Sequence, residues 1–231
     1  ILMADHIVPV KPHVAQIAHV GSFEHYQRIY DESVRDPSGF WRKQAARIDW
    51  FHPFAGVSEV DFAKAEISWY TGGRLNAAHN CIDRHLGERG DQVAIIWVGD
   101  EPGTYTNVTY RELHEHVGRF ANVLKRYGVK KGDRVCIYLP MIPEAVYAML
   151  ACARIGAVHS VVFAGFSSDA LRDRIVDAAC SVVLTANEGL RGGKAIPLKN
   201  TVDEAIAELA FVHTVLVAKR TDTEVAMQEG R

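Results

Sequence analysis

Apolar positions divide the chain into two stretches of different character. From about residue 76 onward, short apolar runs alternate with segments of helical period. Residues 93–98 predict a strand, a Gly99-Asp100-Glu101-Pro102-Gly103 turn follows, and residues 104–108 predict a second strand. Thr109-x-x-Glu112 is a capping box that opens a long helix, closed by Gly128 after Lys125-Arg126-Tyr127, whose basic residues suit the helix dipole. Residues 134–139, 158–163, 181–185 and 212–217 then predict strands. Between them lie predicted helices at 144–155, with Pro143 ahead and Gly156 behind, at 169–179, capped by Ser167 or Ser168, and around 201–209. These strands are apolar without alternation. An α/β fold is expected: a mostly parallel sheet flanked by helices on both faces.

The first seventy residues lack that rhythm. Residues 23–34 and 38–48 predict short helices parted by Asp36-Pro37-Ser38-Gly39, and residues 76–86 a further helix ending near Gly87 or Gly90. Trp41, Trp50, Phe51, Phe54 and Phe62 crowd together with no strand period. Residues 1–68 therefore read as a helical N-terminal extension wrapping the main body, with too few apolar residues for an independent core. Residues 69–231 read as an incomplete α/β portion, because the polar tail 221–231 follows a strand and looks cut. A contact role for the extension in self-association is an additional expectation.

Composition narrows the function classes. The 231 residues carry 26 Lys and Arg against 28 Asp and Glu, a net charge of −2, and are 48% hydrophobic. Those values exclude a disordered tail, a collagen-like repeat and a coiled coil. Near-neutrality argues against nucleic acid or an anionic membrane as the main partner. No uncharged apolar run is long enough to span a bilayer, and residues 1–10 lack a basic stretch followed by an apolar one, so no secretory signal is expected. Cys81, Cys136, Cys152 and Cys180 form no C-x-x-C pair and fit neither zinc nor a disulfide framework. Reduced, buried thiols in a cytoplasmic protein are expected.

Two segments carry candidate chemistry. Glu188-Gly189-Leu190-Arg191-Gly192-Gly193-Lys194 follows a predicted strand and so lies at a carboxyl end, where open α/β sheets bind ligands. Its glycines permit close backbone approach, and Arg191 with Lys194 puts two cations beside an anion. The same residues also fit an ordinary solvated loop, and the Walker pattern is absent. Phe163-Ala164-Gly165-Phe166-Ser167-Ser168 likewise leads from a strand into a helix N-terminus, which suits either an anion or a simple serine cap. It is not G-x-S-x-G, so it implies no hydrolase nucleophile. Among eleven histidines, the pairs His114/His116 and His79/His85 point to mismatched faces and lack a partner at ligand spacing. The cluster Lys125, Arg126, Lys130, Lys131 and Arg134 lacks interleaved aromatics and reads as a solvated turn.

Longer strings add a resemblance. Trp69-Tyr70-Thr71-Gly72-Gly73-Arg74-Leu75-Asn76, Asn80-Cys81-Ile82-Asp83-Arg84-His85 and Lys131-Gly132-Asp133-Arg134-Val135 resemble the acetyl-coenzyme A synthetases, a family of adenylate-forming enzymes. So do Tyr138-Leu139-Pro140-Met141-Ile142-Pro143-Glu144-Ala145 and the run from Met149 to Phe163. The resemblance extends from about residue 22 to 207. It implies a ligase: acetate and MgATP give acetyl-adenylate and diphosphate, then coenzyme A takes the acetyl group and AMP leaves. It also implies that Arg191, Gly192, Gly193 and Lys194 hold the nucleotide end of coenzyme A, and that Phe163, Ala164 and Gly165 line its path. The family usually has glycine where Ala164 stands. The loop resembles the acetyl type rather than the propionyl type, although the acyl pocket is not in this chain. ATP, coenzyme A and magnesium are the implied cofactors, and acetate and the rest of the same polypeptide the implied partners.

The Ser/Thr/Gly-rich phosphate loop, the aromatic–Thr–Glu motif, the ribose-binding aspartate and the catalytic lysine of the family are missing from these residues. No catalytic or metal-binding residue is therefore assigned here. An N-terminal fragment without synthetase activity of its own is expected, because adenylation lacks its electrostatic support. A stand-alone α/β module that binds coenzyme A or a nucleotide without catalysis is the alternative.

Overall fold

A computed structural model describes residues 10–229. The expectation of no signal segment at residues 1–9, and the last two positions of the polar tail, lie outside the described residues. The chain clusters into two compact units, one ending at Arg74 and one beginning at Leu75.

The first unit holds α1 (Pro12–Ile17), α2 (Phe23–Arg35), α3 (Pro37–Ala45), β1 (Gly56–Asp61) and β2 (Glu66–Thr71). Ser22 caps α2 by accepting from the His25 amide at 3.1 Å, and Asp36 caps α3 by accepting from Gly39 at 3.0 Å. Asp36-Pro37 thus ends one helix and starts the next, as the sequence suggests. The strands correct the all-helical reading of residues 1–68, and the boundary at 68 falls inside β2. β1 and β2 form an antiparallel hairpin from Gly56↔Thr71 to Asp61↔Glu66. Only Val57 is buried in β1, so the strands leave little periodic trace. Aromatic contacts support the hairpin instead: Trp50, Phe54 and Tyr70 meet with ring centroids 5.0 to 5.4 Å apart. Two of those rings come from the preceding loop, where no period announces them.

The second unit begins with α4 (Ala77–Cys81), a 3₁₀ turn (Asp83–His85) and α5 (Leu86–Arg89), in place of the single helix expected over 76–86. Ile82 breaks it, with φ −127° and ψ −67° and no exposed surface. Core packing of that side chain outweighs helical continuity. Next come β3 (Val93–Val98), β4 (Tyr105–Thr109), α6 (Tyr110–Arg126), β5 (Arg134–Tyr138), α7 (Pro143–Ile155), β6 (Val158–Val161) and α8 (Ser168–Asp177). β7 (Val182–Ala186), β8 (Gly189–Arg191), β9 (Lys194–Ile196), α9 (Leu198–Ile206) and β10 (Thr214–Ala218) complete the unit. The Thr109–Glu112 capping box forms in full.

The expected parallel sheet is present, in the order β10-β7-β5-β6. Val183 pairs with Cys136 on one side and Val215 on the other. Every residue of β7 is buried, and so are Val135 to Tyr138 of β5. Burial on both faces explains their lack of alternation. The pairs α6/α7 and α8/α9 supply the cover. β5 crosses to β6 on one side, whereas β7 leads to β10 on the other. The connections therefore diverge between β5 and β7, a topological switch point at whose carboxyl edge such sheets bind ligands.

Candidate functional site

The segment 188–194 emerges at that edge. It is a β-hairpin, not the irregular loop its composition suggests. β8 pairs with β9 through Gly189↔Ile196, Leu190↔Ala195 and Arg191↔Lys194. Only Gly192 and Gly193 lie between the strands, with φ +57° and +73°. Positive φ at both central residues defines the type I′ turn, which L side chains adopt at a cost. These glycines therefore serve the turn, and close approach of a ligand is not needed to explain them. A Gly-Gly pair between two short strand-like segments is itself a hairpin signal, so the sequence did carry this information.

The hairpin decides where the cations go. Arg191 and Lys194 are directly opposite, so their side chains leave the same face, and both are exposed. Like charges placed directly opposite repel, and an anion between them turns that repulsion into two charge-assisted contacts. At the stem, a Cβ on Gly189 would stand 3.3 Å from Leu198 and 3.7 Å from Pro140. The hairpin base is thus seated between the start of α9 and the end of β5.

Phe163, Ala164 and Gly165 lie beyond β6, on the same carboxyl edge with β5 between them and the hairpin. At ordinary strand spacing that is about 10 Å. Phe163 is exposed and meets Phe166 edge-on at 5.7 Å, while Arg174 lies 4.7 Å over the Phe166 ring. A Cβ on Gly165 would fall 2.4 Å from the exposed Phe163 ring, so a larger residue there would make that ring turn aside. Ala164 packs against the core. Ser167, rather than Ser168, caps α8 by accepting from the Ala170 amide at 3.4 Å. The Tyr138 hydroxyl donates to the Phe166 carbonyl at 2.8 Å and ties this turn to the end of β5. Burial pushes the Tyr138 phenol up, so it remains a proton donor.

Other predicted features disperse. Arg134 leaves the basic cluster to donate to the Ala178 and Ala179 carbonyls at 3.0 and 3.3 Å, at the end of α8. His116 stacks on Tyr147 at 4.7 Å. Asp83 is a carboxylate partner that histidine spacing missed: Oδ1 accepts from Arg154 at 2.9 Å and lies 3.3 Å from His114 Nε2. His79 stands 3.8 Å from the same group, an i,i+4 relation that was readable. Among the described residues no group of three or more His, Cys, Asp or Glu could hold a metal ion. No helix among them is long and apolar enough to cross a membrane.

Residues 82–230 match the AMP-binding enzyme family, in keeping with the parallel sheet and its switch-point edge. The chain belongs to that family. Residues 26–81 match the acetyl-coenzyme A synthetase N-terminus. An acetyl-coenzyme A synthetase 2 of Pseudomonas aeruginosa is 57% identical over 224 residues, covering 96% of this chain and 35% of the relative. An acetyl-coenzyme A synthetase of Halorhodospira halophila is 55% identical over 226 residues, covering 97% and 35%. The solved acetoacetyl-CoA synthetase from Streptomyces lividans superposes with a TM-score of 0.78 at 30% identity, over 94% of this chain and 33% of that one. The chain thus spans about a third of the length of the curated relatives it matches.

Proposed function

We propose that this chain is the N-terminal part of an acetate–coenzyme A ligase and supplies part of its coenzyme A site. In that reaction acetate attacks the α-phosphorus of ATP, giving acetyl-adenylate and diphosphate. The coenzyme A thiol then attacks the acetyl carbon, AMP departs with the bonding pair, and acetyl-coenzyme A forms. The work assigned to this chain is binding. Arg191 and Lys194 take the 3′-phosphate and diphosphate end of coenzyme A, and Phe163, Ala164 and Gly165 line the path of its arm. ATP, acetate and magnesium belong to the longer polypeptide, whose setting is cytoplasmic. The chain by itself is proposed to lack synthetase activity.

The carrying observation is the cross-strand pairing of Arg191 with Lys194 on a two-glycine turn at the switch-point edge. Support for an acetyl-coenzyme A product comes from the likeness to relatives of that name over nearly the whole chain. The test is kinetic, on the complete polypeptide with both cations replaced by alanine. Each ordered charge-assisted contact contributes about 1.5–3 kcal/mol, less where solvent screens it. The KM for coenzyme A should therefore rise about tenfold or more, and acetate-dependent exchange between diphosphate and ATP should persist. An unchanged KM, or equal loss in both half-reactions, would defeat the assignment.

A further inference from the structure

The base of the hairpin holds a polar cluster that neither the family strings nor the two cations explain. Asn187 follows β7 and precedes the hairpin, and it is 2% exposed. Its backbone N–H donates to the Ala218 carbonyl at 3.0 Å, carrying the β7–β10 ladder one residue further. Its side-chain nitrogen lies 3.0 Å from the Thr221 carbonyl, 2.9 Å from the Thr221 hydroxyl and 2.8 Å from the Thr223 carbonyl. Its side-chain oxygen accepts from the Arg220 amide at 2.8 Å and the Thr221 amide at 3.4 Å. Thr221 then donates its hydroxyl to Glu188 at 2.7 Å.

A second latch lies further along. Lys199, 4% exposed, pairs with both oxygens of Asp203 at 2.7 Å and donates to the Ala226 carbonyl at 2.9 Å. Residues 219–226 therefore pass the hairpin base as a strap pinned near both ends. A buried amide costs stability unless its hydrogen bonds are made, and a fully satisfied network gives rigidity in return. A Val or Leu at the end of β7 would fill the space without holding the strap.

The hairpin makes that rigidity consequential. Its arms are three residues long, about 10 Å at ordinary strand rise. A play of about 10° at the base would swing the tip by about 2 Å, more than a charge-assisted contact tolerates. We propose that Asn187 is a positioning residue: by latching the 219–226 strap to the hairpin base it sets where Arg191 and Lys194 present their charges. The inference rests on the reading that this hairpin binds the phosphates of coenzyme A. Through the strap, the anion site is also coupled to the chain that follows β10.

The test uses the complete polypeptide that contains this chain, with coenzyme A and 3′-dephospho-coenzyme A as probes in titration calorimetry, beside amide hydrogen exchange. Asn187→Ala should weaken coenzyme A about tenfold, one lost ordered contact in affinity terms. It should narrow the preference over the dephospho form. Amides of Gly189 and Ile196, a hydrogen-bonded pair of the hairpin ladder, should exchange faster while those of β5 keep their protection. In the Arg191→Ala/Lys194→Ala background the same replacement should change affinity by less than about twofold, because a residue that acts through the cations has nothing left to position. Equal affinity of Asn187→Ala and the parent, or the same drop in both backgrounds, overturns the proposal. Should Asn187→Ala fail to fold, Thr221→Val removes the hydroxyl that bonds both Asn187 and Glu188, keeps the other Asn187 contacts, and is held to the same non-additivity. A parent that binds neither probe defeats the coenzyme A reading instead. Hydrogen exchange at the hairpin then still decides whether Asn187 holds it, and unchanged exchange would overturn that as well.

Discussion

Single side chains show how burial and local pattern divide the information. Cys136, Cys152 and Cys180 are buried and Cys81 is exposed. The expected burial holds for the first three, which lie in apolar runs, and fails for Cys81, which sits among polar neighbours. Burial pushes Cys136 and Cys152 up to about 12 and raises Cys180 as well, so these thiols stay protonated and unreactive through neutral pH. An aromatic disulfide reagent at pH 8 should therefore titrate one thiol in the folded chain and all four in denaturant. Rapid reaction of three would contradict the packing. Asp83 makes the opposite point. Its spacing from His79 lies along the chain, but its bond to Arg154 joins residues 71 positions apart. No local pattern announces such a partner, and Asn187 was overlooked for the same reason.

Elements were legible where one period governed them. Apart from β8 and β9, the strands and helices from residue 93 onward follow the sequence pattern to within a few residues, because burial on a given face repeats locally. The β8–β9 hairpin was readable in its Gly-Gly pair but obscured by its loop-like composition. Its turn yields a sharp expectation. Gly193 has φ +73°, so Gly193→Val forces a β-branched residue into the left-handed region at about 1–2 kcal/mol. The tip is exposed and outside the core, so thermal unfolding should move little. Coenzyme A affinity should fall about as far as in Arg191→Ala, measured by titration calorimetry. A large fall in Tm with unchanged affinity would show that the turn serves stability alone. β1 and β2 were missed because three aromatic rings from separated positions do the work that periodic burial does elsewhere.

At the scale of the molecule, the buried hydrophobic cluster runs from Ile82 to Val215 and lies entirely within the second unit. Residues 75–231 alone are thus expected to unfold cooperatively, followed by circular dichroism in urea. A broad, featureless transition would mean that the core needs more than its own residues. Leu184, 1% exposed in the central strand β7, is the sharpest probe of that core. Leu184→Ala should lower unfolding stability by about 2–5 kcal/mol through lost burial and an unfilled cavity.

By itself the sequence determined the α/β class, the parallel character of the sheet, the caps that open α6 and α8, and a pair of cations in a glycine-rich loop. These follow from rules that act over a few residues: periodic burial, capping and turn chemistry. Only the tertiary structure decided the strand order, and with it the switch point that places Arg191 and Lys194 on the ligand-binding edge. It also decided the aromatic hairpin of the first unit, the break at Ile82 and the Asn187 latch. Each depends on which distant segments meet, and that is chosen by packing and by buried polar groups finding partners, which no local period records.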